Sequence, residues 1–417
     1  MSANDIKVIF GGTLIDGTGA KPIENTIILI KGEKIDEITD VNSFSEPKEA
    51  LYIFDARNKF ILPGFIDCHT HIQLSEKQSE LQIIKESVSL KTLRAASNAK
   101  KTVEAGFTSI RDVGAENLID VGLRDAINEG LIVGPRMFVS GYKIMPTGAD
   151  FPLYPPEVQI YGRETMDSPD EVRKAVRTLL ARGVDIIKLM VTGRTFRKTS
   201  SPNSYALTLE EAKVAVCEAH NQNKKVAAHA HGSKGVKIAL QAGCDSLEHG
   251  TILDNDDIEL MRKNDIFLVP TLSYGTHVEE LGDKSGLPDF IIKKAIDGLH
   301  HRLKSFEKAL KAEVRIAMGS DAGMPFINHG ENAFELTTMV KAGMTPMQAI
   351  LSMTSSGAEL LGIANEVGII SEGKIADIVI VGKNPLEDIS ILQKKKNILA
   401  VLKEGEIIIN RGLKIKQ

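Results

Sequence analysis

The 417-residue chain has only three cysteines, Cys68, Cys217 and Cys244. They are odd in number, far apart and each set in an apolar or helical pattern, which excludes a disulfide-framed scaffold. An excess of positive charge is also lacking. Lys and Arg number 51 against 55 Asp and Glu, a formal balance of −4, so a polybasic coat is excluded and no nucleic-acid partner is expected. No apolar run approaches the roughly eighteen residues a membrane span needs, and the opening MSANDIKVIFGG has no basic stretch followed by a long apolar one. A cytoplasmic protein with no membrane partner is the expectation. What is present is average for a globular chain, 42% hydrophobic and 25% charged residues, enough to build a large core.

The two ends of the chain read alike. IKVIF, TIILI, KIDEI and LYIFDA near the start, and KIADIVIV, ILAVLKEG and EIIINRG near the end, are short strand-like runs broken by glycine-rich or Asx turns. Neither set is long enough to bury a face alone, so the two are expected to pair with each other. Gly11, Gly12, Gly17 and Gly19 lie among these runs without a following helix, which argues against a nucleotide loop.

Between them, short aliphatic runs alternate with amphipathic segments, the mark of βα units and a parallel sheet. Eight candidate strands stand out: residues 65–71, 108–113, 136–141, 185–191, 225–231, 245–250, 266–272 and 315–321. Helix starts are signalled by Thr208-Leu-Glu-Glu and Ser168-Pro-Asp-Glu, the latter helix stopped by Gly183. The expected fold is α/β, a (β/α)8 TIM barrel over residues 63–364 with a small discontinuous β-sandwich made from residues 1–62 and 365–417.

Barrel catalysis runs from the C-terminal ends of the strands, and five of the ten histidines fall there. His69 and His71 are two apart on one strand, so both imidazoles can face one point. His229 and His231 end the fifth candidate strand, His249 the sixth and Asp321 the eighth. Imidazoles with a carboxylate favour a divalent transition ion, zinc first. Four histidines and an aspartate exceed the usual three protein ligands of one catalytic ion, so two ions are expected. His220, His300 and His301 lie in polar helical surroundings and read as surface residues.

Lys188, flanked by Ile186, Ile187, Leu189 and Met190, would face the same interior. Addition of CO2 to its amine would give a carbamate, an anionic oxygen ligand able to bridge two ions. A Schiff-base lysine of a barrel aldolase is the rival reading, although such an enzyme needs no histidine cluster.

ILPGFIDCHTHI (61–72), IKLMVTG (187–193), VAAHAHG (226–232), DSLEHG (245–250) and MGSDAG (318–323) together resemble the amidohydrolase superfamily, in its branch related to imidazolonepropionase and Xaa-Pro dipeptidases. The resemblance spans nearly the whole chain. It implies that His69, His71 and Asp321 hold one ion, His229 and His249 a second, and N6-carboxylated Lys188 bridges them. It implies hydrolysis of an amide bond in a dipeptide or N-acyl amino acid, with Asp321 moving the proton, and a symmetric oligomer. The same fold and metals acting on a cyclic amide, carbamate or urea-type bond stay open, as does a non-catalytic scaffold, though every part of the ligand set is present.

The chain departs from the family where dipeptidases have Thr-Gly-Gly-His, reading MPTGADF instead. In VTGRTFRKTS, Arg194, Arg197 and Lys198 lie near the barrel mouth, where a guanidinium can clamp a carboxylate or simply be solvated. His231, Tyr142, Tyr274 and His329 are further candidates for touching a small-molecule substrate. Asp67 shares the phase of His69 and His71 one layer down and reads as support beneath the site, whereas Cys68 should face the helices.

Overall fold

A computed structural model of the chain describes residues 6–44, 50–75, 85–149, 165–193, 204–413 and 415–416. Strands from both ends join one nine-stranded sheet. They are β1 (Ile6–Leu14), β2 (Ile23–Lys31), β3 (Lys34–Asp40), β4 (Ala50–Asp55) and β5 (Phe60–Pro63) from the start. After β6 to β12, which lie in the centre, the end adds β13 (Ile378–Val381), β14 (Ile398–Lys403), β15 (Glu406–Asn410) and β16 (Ile415–Lys416). The ends meet where β5 pairs antiparallel with β13, Pro63 opposite Ile378, and where β4 pairs with β16.

All nine strands are linked through hydrogen bonds because β1 changes partner half-way. Residues Ile6–Phe10 run parallel to β4, while Thr13 and Leu14 pair with β5. The switch falls at register shifts around Gly12, beside Gly11 with φ +79°, a conformation that costs glycine nothing. The bent sheet thereby gathers Ile9, Ile28, Ile35, Phe54, Ile61, Ile378, Ala400 and Leu402 into one apolar cluster.

The centre is α/β. β6 (Phe65–Thr70), β7 (Phe107–Asp112) and β8 (Arg136–Val139) form one parallel sheet, and β9 (Ile186–Met190), β10 (Lys225–Ala230), β11 (Ser246–His249) and β12 (Phe267–Val269) another. The sheets meet at both edges. On one side Asp185 N donates to Val139 O (2.8 Å) and Ile144 exchanges bonds with Lys188 O and Met190 N (2.8 and 2.9 Å). On the other, residues 315–322 bridge β12 to β6: Leu268 N reaches Arg315 O (2.9 Å), Cys68 N reaches Met318 O (2.9 Å) and Asp321 N reaches His69 O (2.8 Å). The eighth expected strand is thus present as a paired extended segment with isolated bridges at Ile316 and Ala322, not as a regular strand.

Helices flank these strands as their caps foretell. Thr208 and Glu211 close a reciprocal capping box. Ser168 caps its helix through Glu171 N, but the Glu171 carboxylate reaches one residue further back to Asp167 N. Among the described residues no helix is long and apolar enough to cross a membrane.

Gly64 is the hinge between β5 and β6, and its N–H donates to Asp377 O (2.7 Å). A Cβ there would lie 2.1 Å from Thr108 Oγ1 and 2.9 Å from Asp377 Cβ. Gly64→Ala is therefore expected to destabilise the chain by about 1–3 kcal/mol through overpacking, read as a lowered midpoint in chemical denaturation. An unchanged midpoint would show that the junction is loose.

Candidate active site

The C-terminal strand ends converge on a cavity of about 50 Å³ that opens to solvent. His69, His71, Lys188, His229, His231, His249, Tyr274 and Asp321 all line it, joined by Lys143, Met190, Arg302 and Met324. The imidazoles are close: ring centroids are 5.5 Å apart for His69 and His71, 5.0 Å for His69 and His249, and 4.5 Å for both His229–His231 and His229–His249.

Four of these five rings are held from behind through Nδ1. His69 Nδ1 donates to Glu248 Oε2 (2.5 Å), His249 Nδ1 lies 2.6 Å from Thr271 Oγ1, His231 Nδ1 2.8 Å from Thr251 Oγ1, and His71 Nδ1 3.4 Å from Gly114 O. This leaves Nε2 of His69 and His71 directed at Asp321 Oδ1, at 3.6 and 3.4 Å. Two ligands of a tetrahedral ion at about 2.1 Å each stand about 3.4 Å apart, so these atoms have the separation of co-ligands. Donor atoms of His69, His249 and Asp321 lie within 4.8 Å of one another, as do those of His229, His231 and His249. Burial lowers the pKa of His69, which Lys188 lowers further, and holds His231 and His249 well below the imidazole range. Neutral rings are what a metal requires. The residues fit a divalent ion.

The supporting shell contains residues to which the sequence reading gave no role. Glu248 is completely buried and sits between His69 and Arg111, whose Nη2 is 2.7 Å from Glu248 Oε1. Burial alone would push the Glu248 carboxyl up, but Arg111 and His69 outweigh it and hold it below the ordinary carboxylate range. Arg111 also donates to Cys68 O and Ser246 Oγ (2.5 and 2.9 Å). Asp67 supports from below as expected. It accepts from His69 N (3.1 Å), Ser320 N (3.0 Å) and Asn332 Nδ2 (2.7 Å), and burial pushes its carboxyl to about 6.

Backbone strain gathers at the same place. His249 (φ 70°), Thr271 (φ 47°) and Asp321 (φ 62°) are all left-handed, which for non-glycine residues costs of order 1–3 kcal/mol each and persists only where the surroundings enforce it.

Other expectations are displaced. Tyr142 is buried in the main apolar core and does not line the cavity; its neighbour Lys143 does. His329 lies behind the ligand pair, with Nε2 donating to His71 O (3.2 Å), and does not face the cavity. Cys68 packs with Ile66 and Ala358 on the helix side. Arg194, Arg197 and Lys198 fall outside the described residues.

Comparison with known proteins matches residues 60–408 to the Amidohydrolase family. The chain belongs to the amidohydrolase family. This amidohydrolase is 31% identical to ochratoxinase of Aspergillus niger, over 98% of its own length and 88% of that protein's. It is similar to the crystal structure of a Xaa-Pro dipeptidase with bound methionine in the active site, at 35% identity and a TM-score of 0.88, covering 97% and 99% of the two chains. It is also 24% identical to imidazolonepropionase of Bdellovibrio bacteriovorus, over 81% of this chain and 77% of that one. The chain is accordingly an enzyme, a hydrolase acting on C–N bonds.

Glu248→Gln preserves size while removing the charge that orients His69. Loss of such a partner weakens metal binding about 10–100-fold, to be measured by competition for zinc with a chromogenic chelator. Zinc retention equal to wild type would show that the Glu248–His69 bond is not coupled to the site.

Proposed function

We propose that this amidohydrolase cleaves the amide bond of a dipeptide or N-acyl amino acid with two divalent ions, most simply zinc. His69, His71 and Asp321 would hold one ion and His229 and His249 the other, inside a closed (β/α)8 barrel formed by β6–β12 and residues 315–322. The observation that carries the reading is the convergence of Asp321 and the inward imidazoles beside the buried Lys188. The dipeptidase among its structural relatives supports a peptide-like substrate.

Divalent ions held by these residues would supply a Lewis acid for the scissile carbonyl and lower the pKa of a water from about 15.7 toward about 7. The chain's own residues do the rest. Asp321 is more open than the histidines around it, with 13% of its side chain exposed, so it can take the proton of the attacking water and return it to the leaving amine. Its left-handed backbone aims it at both His69 and His71. Met190 and Met324 give the cavity adaptable apolar walls for a side chain. Lys188 is proposed to be N6-carboxylated: its nitrogen bonds the carbon of CO2, a proton leaves, and the product is an anion suited to bridge two cations.

Metal analysis of protein purified without chelator is expected to find close to two ions per chain, with turnover in a dipeptide panel supplied with zinc and bicarbonate. Lys188→Ala is expected to lose metal and nearly all activity, and to regain part of both with a short-chain carboxylic acid. A metal-free protein that still hydrolyses dipeptides would overturn the reading.

A further inference from the structure

Arg302 enters the cavity from the helix Asp289–Lys311. It is 8% exposed. Nε reaches Thr251 Oγ1 at 3.4 Å, and Nη1 reaches Thr271 O and Oγ1 at 2.5 and 3.4 Å. Among the described residues Nη2 makes no hydrogen bond, and Asp321 and Glu335 act on the guanidinium only through space. A buried cation without a bonded carboxylate is expensive to keep. This one is kept at the wall of the reaction cavity.

Cationic side chains outnumber anionic ones in the lining. Lys143, Lys188 and Arg302 stand against the single carboxylate of Asp321. If Lys188 is carboxylated, Lys143 and Arg302 balance Asp321 and the new carbamate, and the charge of bound metal would then make the cleft positive. A cleft in which one sign predominates, walled by low-dielectric core, concentrates ligands of the other. Among anions, a carboxylate matches the planar fork of a guanidinium.

We propose that Arg302 is a specificity-determining residue that binds a free carboxylate of the substrate, so that the enzyme prefers amides carrying an anionic group beside the scissile bond over neutral ones. The proposal rests on the reading of the site as an amide hydrolase. It differs from a structural duty in one respect. Through Thr251 and Thr271, which touch His231 Nδ1 and His249 Nδ1, a purely supporting Arg302 would affect all substrates alike, whereas an anchor affects only the charged ones.

The test uses the zinc-loaded full chain, with L-alanyl-L-phenylalanine and its C-terminal carboxamide as paired substrates and alanine release as the readout. Wild type is expected to favour the acid by about 10–100-fold in kcat/KM, the value of one charge-assisted bond. Arg302→Met is expected to bring the two substrates close to parity, chiefly by raising KM for the acid. An equal fall for both substrates overturns the proposal. Should Arg302→Met fail to fold, Arg302→Lys decides: it keeps charge and stem but not the fork, so the preference should shrink, and an unchanged preference overturns the anchor. If wild type cleaves neither substrate, the hydrolase reading fails for dipeptides, and the anchor is judged separately by calorimetry with 3-phenylpropionate and 3-phenylpropionamide. Wild-type preference for the acid that disappears in the variant supports it; no preference overturns it.

Discussion

The buried ion pair between Arg111 and Glu248 is the constraint on which the site depends. Both side chains are cut off from water, and either one alone would be an uncompensated charge costing about 3–5 kcal/mol. Together they still leave one carboxylate oxygen over, and His69 Nδ1 takes it at 2.5 Å. That contact fixes the ring's tautomer and leaves Nε2 for the cavity. Arg111 comes from β7, Glu248 from β11 and His69 from β6, so the pair ties strands of both parallel sheets across the interior. Packing at the centre and chemistry at the mouth are therefore one network: a change in one is felt in the other.

The left-handed residues show how the fold departs from regular strand geometry to build this network. In an ordinary strand, neighbours point to opposite faces. Glu248 and His249 are adjacent, yet Glu248 bonds Arg111 and His69 inside while His249 joins the ligand cluster. The φ of 70° at His249 is what allows both to face inward. Thr271, a β-branched residue at φ 47°, is held by Arg302 and in turn holds His249. Strain of this kind is a usual companion of preorganised sites.

Much of this was legible beforehand, for physical reasons that can be named. The βα alternation marked seven strands to within a few residues, because aliphatic runs bounded by turn and cap residues have few other uses. The inward imidazoles followed from period-2 spacing in HTH and HAH. What escaped was everything that breaks a period. Glu248 lies in the quoted DSLEHG stretch, but alternation from His249 points it outward. Tyr142 and Lys143 exchanged places because the chain leaves strand geometry at Gly141, φ +62°, where phase can no longer be counted. Arg302 lies 31 residues from Thr271 along the chain, inside a helix otherwise read as amphipathic, and no local pattern signals its reach. The short β5, FILP, is too small to register as a strand, yet it is the seam between the two chain ends.

The seam also dictates an order of assembly. β6 carries His69 and His71, and its backbone is satisfied on one edge by β7 and on the other by residues 315–322, which a ribosome adds some two hundred and fifty residues later. Gly64 N waits longer still, for Asp377 O, and Arg136 for Asp377 and Glu404 (2.8 Å each). During synthesis the first histidines are thus displayed on an unpaired strand edge, the kind of surface that invites pairing with other chains. Long-range closure of this sort is slow. Translation that stalls before the final hundred residues therefore leaves the β6 edge without residues 315–322 to cover it.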